Sequence, residues 1–135
     1  MIKKFISTYC LYLVVLSLID FVWLYFSGPA FYRKNLDYVM GEKFLISPAI
    51  IFYFLYAFGI TIFILNPAII KHESSIATLL KGFLFGLCSY GAYNLTNQAT
   101  IKNWPIIVTI IDMAWGTFVT GVSSLITILL IKKFF

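Results

Sequence analysis

Charge is what this sequence has least of. Only 11% of its 135 residues are charged and 61% are hydrophobic, whereas a soluble domain carries about a quarter charged residues. That is too little polar surface to clothe a water-soluble globule, and a mean hydropathy of +0.96 makes lipid the expected solvent. Acidic side chains are rarer than basic ones, five against ten, for a net charge of +5. Such a balance could suit nucleic acid, but Lys3, Lys4, Lys71, Lys132 and Lys133 lie at the ends of apolar runs, where lysines anchor helices against phosphates. Membrane lipids are therefore the expected partners, and no nucleic acid.

The single histidine and two cysteines are equally informative. Neither a CxxC pair nor an HExxH set occurs, which argues against a zinc or other metal site and a disulfide framework. Cys10 and Cys88 stand singly inside apolar runs and read as buried small hydrophobes. His72, flanked by Lys71 and Glu73, reads as a solvated loop residue. A glycine-rich phosphate loop and a nucleophile elbow are both missing, so no cofactor is expected.

What the sequence has in quantity is long apolar runs. Four of them, about 5–26, 48–66, 76–98 and 106–131, can cross roughly 30 Å of hydrocarbon at about 1.5 Å per residue. The expected fold is all-α: residues 1–135 form a single membrane domain, an integral four-helix transmembrane bundle. The first run is too long for a signal peptide core and no small-x-small site closes it, so it reads as a retained helix. Ser47-Pro48 should start the second span and Pro67 close it. Between the first two spans, Tyr32, Leu36, Val39 and Met40 recur at helical spacing before Gly41. They suggest a short amphipathic interfacial helix; the alternative is an ordered loop.

An even number of spans puts both termini on one side. Lys3, Lys4, Lys71, Lys81, Lys132 and Lys133 fall on that side, and Arg33, Lys34, Lys43 and Lys102 on the other. Six against four favours cytoplasmic termini, and so small a bias leaves dual topology open. Gly82 with Gly86, and Gly116 with Thr120 and Ser124, form small-xxx-small rows that permit close helix contact, within the bundle or through a homodimer.

Two carboxylates interrupt the apolar spans. Each costs about 2.5 to 3.5 kcal/mol at mid-helix, so something should retain Asp20 and Asp112. Asp20 lies six residues before the end of its span and Asp112 six after the start of its own, which sets both about 9 Å below the same surface. Tyr90, Tyr93, Asn94 and Asn97 share a face of the third span near that surface, and Tyr53 and Tyr56 have matching depth in the second. Trp23 and Trp115 each follow an aspartate by three residues. Either they wall a pocket or Trp23 belongs to the interfacial aromatic belt. The repeated Ile-Asp-x-x-Trp reads as coincidence, because duplicated helix pairs would relate span one to span three. All four spans thus offer hydrogen-bonding groups at one level. That layer is either a binding site or a polar network that only fixes helix register.

The run Gly91-Ala92-Tyr93-Asn94-Leu95-Thr96-Asn97-Gln98-Ala99-Thr100, then Trp104-Pro105 and Asp112-Met113-Ala114-Trp115-Gly116, resembles the signature of the DUF2177 family of bacterial predicted membrane proteins. Asp20, Trp23, Phe31, Tyr32, Phe52, Tyr53, Tyr56 and Pro67 fit the same pattern. The resemblance spans essentially the whole chain and implies four spans in a bacterial membrane, with no assigned activity. In that family Asp is common where this chain has Asn94, which argues against a mechanism needing three carboxylates.

Three functions fit these residues. A small transporter would bind a solute, cation or proton at Asp20 and Asp112, although helices broken by Gly or Pro, a mark of many transporters, are not evident. An intramembrane enzyme would use the two acids as general acid and base on a lipid or isoprenoid-like substrate. A non-catalytic assembly subunit would use the layer for packing alone. Binding or transport is favoured over catalysis, because the layer lies close enough to one surface for solute entry.

Overall fold

Two of the four helices change pitch close to a proline, Pro29 in one and Pro67 in the other. Proline lacks an N–H and crowds the carbonyl four residues back, and a helix can absorb this by widening to one i→i+5 turn. A computed structural model, which describes residues 1–135, has such a turn at both places. At Gly28–Tyr32 the Arg33 N–H donates to the Gly28 carbonyl. At Thr61–Leu65 the Asn66 N–H donates to the Thr61 carbonyl. Helix α1 therefore runs Ile2–Leu36 and α2 runs Ile46–Ile70.

The helix bounds correct four expectations. The segment after Gly28-Pro29 is the continuation of α1 rather than a separate interfacial helix, and Val39 and Met40 fall in the turn beyond it. Pro67 does not close α2, which continues to Ile70, and α2 starts from Leu45 rather than being capped by Ser47. Proline-linked interruptions are present after all, one in α1 and one in α2.

Helix α3, Ser75–Thr100, begins where the Ser74 hydroxyl accepts the Ala77 N–H at 3.1 Å, a side-chain cap. Helix α4, Ile106–Phe134, follows Pro105. The links before α3 and α4 turn through His72 (φ 51) and Asn103 (φ 63), left-handed conformations that help chains leave helices. All four helices are long and apolar enough to cross a membrane.

Helix α4 is the spine of the bundle. Half of its apolar window is buried, against 22 to 28% in the other three. It packs along α3, against α1, and against the wide turn of α2. The α3–α4 contact is close because glycines face each other. A Cβ on Gly86 would run into the Gly116 carbonyl and reach within 2.9 Å of Thr120, and one on Gly82 would meet Ser124. The rows at Gly82, Gly86, Gly116 and Thr120, considered above for a homodimer, are thus consumed inside the chain. Consecutive helices joined by a short link bring their two small-residue faces together and bury them.

Cys10 and Cys88 are exposed on the outer faces of the helices, not buried, because the core positions beside them go to residues such as Tyr12 and Gly86. At the terminal side, Glu73 pairs with Lys81 at 2.6 Å and its carbonyl accepts from Lys132 at 2.6 Å, tying the α2–α3 link to the end of α4.

Candidate functional site

Both intramembrane aspartates accept two hydrogen bonds, one on each oxygen. Asp20, 5% exposed, takes the Trp115 indole N–H on Oδ1 at 2.7 Å and the Tyr53 hydroxyl on Oδ2. Asp112 takes the Tyr32 hydroxyl on Oδ1 at 2.5 Å and the Asn94 amide on Oδ2 at 2.6 Å. Asn94 also donates to the Tyr90 carbonyl at 3.0 Å, while its buried Oδ1 has no partner. The four donors come one from each helix; the one from α1, Tyr32, lies beyond the span expected from sequence. Bonds to a charged group stabilise by about 1.5 to 3 kcal/mol each, enough to offset the insertion cost of each acid.

None of these donors is a cation. The two salt bridges, Arg33–Asp37 at 3.5 Å and Lys81–Glu73, involve neither aspartate. No three His, Cys, Asp or Glu side chains converge in the structure; the groups around the acids are phenols, an indole and an amide.

The two Asp-x-x-Trp motifs engage each other. Helices α1 and α4 are antiparallel, so Asp20 of one meets Trp115 of the other. In the reverse sense, Trp23 donates to the Tyr32 hydroxyl at 3.3 Å, and Tyr32 passes the contact on to Asp112. Between them the two indoles stack, with ring centres 4.4 Å apart and planes at 11°. The repeat is therefore a matched contact between helices, a relation that duplication of helix pairs does not describe.

A cavity of about 210 Å³ opens beside both acids, lined by Asp20, Asp112, Tyr32, Tyr90, Tyr93 and Trp115, with Leu24, Leu36 and Val108. Tyr90 can lie there because Gly116 opposite has no side chain; a Cβ would fall inside the Tyr90 ring. Of the residues expected from sequence, Asp20, Tyr90, Tyr93, Asp112 and Trp115 line this cavity. Tyr53 and Asn94 bond its carboxylates, and Trp23 reaches it through Tyr32 and the stack. Tyr56 instead bonds Thr120 at 2.7 Å and Ser89 at 3.0 Å, and lines an adjoining cavity with Tyr90, Tyr93 and Asp112. Asn97 does not line the cavity; its half-buried side chain lies beside the Tyr93 hydroxyl, and its carbonyl accepts the Ile101 N–H at 2.8 Å.

Sequence reading missed Tyr32 and Leu36, having assigned them to the membrane surface. The signal that could have found them is Gly28-Pro29 read as a wide helical turn instead of a break. It also missed a closed ring at the α3–α4 link. Gln98 donates to the Trp104 carbonyl at 3.0 Å, Trp104 to the Thr109 hydroxyl at 3.1 Å, and Thr109 back to Gln98 Oε1 at 2.9 Å. This ring holds the start of α4, and with it Asp112, against the end of α3.

The sequence model of the DUF2177 family, described as a predicted membrane protein, matches residues 5–129. No curated protein and no solved structure matches the chain.

Proposed function

The chain belongs to the DUF2177 family of predicted membrane proteins, and we propose that it binds a small cation or proton within the membrane and moves it between the two sides. One observation carries this reading: Asp20 and Asp112 open on the same cavity with no basic side chain to balance them. A network built only to fix helix register would need no open volume beside it. A carboxylate offers about four acceptor positions, and each of these uses two, so the pair keeps spare acceptors and uncompensated negative charge in a low-dielectric setting. That combination favours a positive ligand.

Movement, rather than static binding, draws support from the buried face of α4. Thr120, Ser123, Ser124 and Thr127 lie along it, all fully buried, and lead from Asp112 toward the terminal side. The fully buried Asn94 Oδ1 and Ser123 Oγ have no hydrogen-bond partner. Leaving such groups unmet costs about 1 to 3 kcal/mol each, a cost that water or a passing proton would relieve. With the termini in the cytoplasm, as the lysine distribution favours, the aspartates occupy the outer leaflet.

The test is flux in liposomes. Protein reconstituted with a trapped pH-sensitive dye should dissipate an imposed proton or monovalent cation gradient, and Asp20→Asn or Asp112→Asn should abolish this. Undiminished flux through folded Asp112→Asn protein would sink the proposal.

A further inference from the structure

We propose that the cation is an organic ammonium borne on an apolar tail, its head between Asp20 and Asp112 and its tail in the groove between α1 and α2. This rests on the cation-binding reading above and gives the ligand a chemical class.

The cavity has room for more than a bare ion. At about 210 Å³ it holds several times the roughly 30 Å³ that one water occupies in the liquid. Its walls are aromatic as well as acidic: Tyr32, Tyr90, Tyr93 and Trp115 surround the two carboxylates. Aromatic rings with carboxylates are the surroundings that suit alkylammonium groups, which gain from ring faces without needing many hydrogen bonds. A phosphate or carboxylate head would meet two like charges and no basic partner.

The way in is apolar. A groove of about 660 Å³ shares Leu24, Tyr32, Leu36 and Tyr93 with the cavity and runs on past Phe21, Phe44 and Ile50. The last three are 68, 77 and 50% exposed, so the groove faces the hydrocarbon side of the bundle. A hydrated inorganic ion would lose its water crossing that wall. An amphiphile already dissolved in the bilayer would lose nothing there, since its tail exchanges lipid contacts for equally apolar ones. Charge complementarity selects the head, and the groove fits the tail.

The probe is dodecyltrimethylammonium, titrated into the full-length protein in phosphatidylcholine nanodiscs and followed by tryptophan fluorescence, with tetramethylammonium, dodecanol and dodecanoate as comparisons. Near-ultraviolet circular dichroism from the Trp23–Trp115 stack reports the fold of every variant. Saturable binding of dodecyltrimethylammonium is expected, at least about tenfold tighter than tetramethylammonium because the tail concentrates it in the bilayer. Dodecanol and dodecanoate should not saturate the signal, and Asp20→Asn should abolish binding while the stack persists. Ala49→Phe, which narrows the groove, should shrink the ratio between the two ammonium probes.

Binding of dodecanol or dodecanoate as tight as the ammonium overturns the proposal. So does a ratio unchanged by Ala49→Phe, which would leave a tail-independent cation site. If neither ammonium binds while proton flux still depends on Asp20 and Asp112, the ligand class is wrong and the transport reading stands. If flux is also indifferent to both aspartates, the transport reading falls too.

Discussion

The indole N–H of Trp115 donates to Oδ1 of Asp20 across 2.7 Å, so the tryptophan of one Asp-x-x-Trp motif serves the aspartate of the other. Antiparallel packing of α1 and α4 makes this possible. Residues three apart lie on one helical face, and reversing one helix sets the acid of each motif opposite the indole of its partner. The site is thereby built from a contact between helices that are distant in sequence.

Trp115→Phe isolates that contact, since phenylalanine keeps an aromatic ring beside Trp23 but removes the donor. A bond to a charged acceptor is lost, so unfolding in detergent should show a destabilisation of about 1.5 to 3 kcal/mol. Trp23→Phe removes a 3.3 Å bond to a neutral phenol and should cost only about 0.5 to 1.5 kcal/mol. Equal losses in the two variants would contradict the crossed arrangement.

Tyr32 and Asn97 reverse their expected importance. Tyr32→Phe strips Asp112 of one of its two donors, and liposome flux should fall severalfold. Asn97→Ala removes a side chain outside the cavity and should leave flux near wild type, with stability within about 0.5 kcal/mol. The opposite ranking would place the boundary of the site elsewhere.

Gly86→Leu tests whether the small-residue rows act within the chain. Its side chain would have to displace the Gly116 carbonyl and Thr120, so overpacking should cost at least about 1 to 3 kcal/mol. The melting temperature should drop at every protein concentration, and cross-linking in detergent should show the same oligomer distribution as the wild type. A loss that shows only as dimer dissociation would return these glycines to an intermolecular role.

The α3–α4 link offers a control away from the membrane core. Asn103 sits at φ 63 and its carbonyl accepts the Tyr38 hydroxyl at 2.9 Å. Glycine tolerates that conformation and keeps the carbonyl, so Asn103→Gly should be close to neutral. A β-branched residue does not tolerate it, and Asn103→Val should cost about 1 to 2 kcal/mol. Thermal melts of the two variants decide this.

The sequence by itself determined the four spans, because their length and hydropathy leave no other solvent than lipid. It also set the expectation that Asp20 and Asp112 share a depth, since helical rise converts position along a span into distance from the membrane surface. Periodicity grouped Tyr90, Tyr93 and Asn94 on one face of α3. It could not say how far each helix is rotated about its axis, nor which neighbour that face meets, because lipid and a partner helix are about equally apolar surroundings. Only the tertiary structure paired Asp20 with Trp115, left Asn97 outside, and turned Gly86 onto Gly116 and Thr120. The wide turn at Pro29 shows why most directly. It shifts the register of every residue after it, and so carries Tyr32 from an expected place on the membrane surface to the oxygen of Asp112.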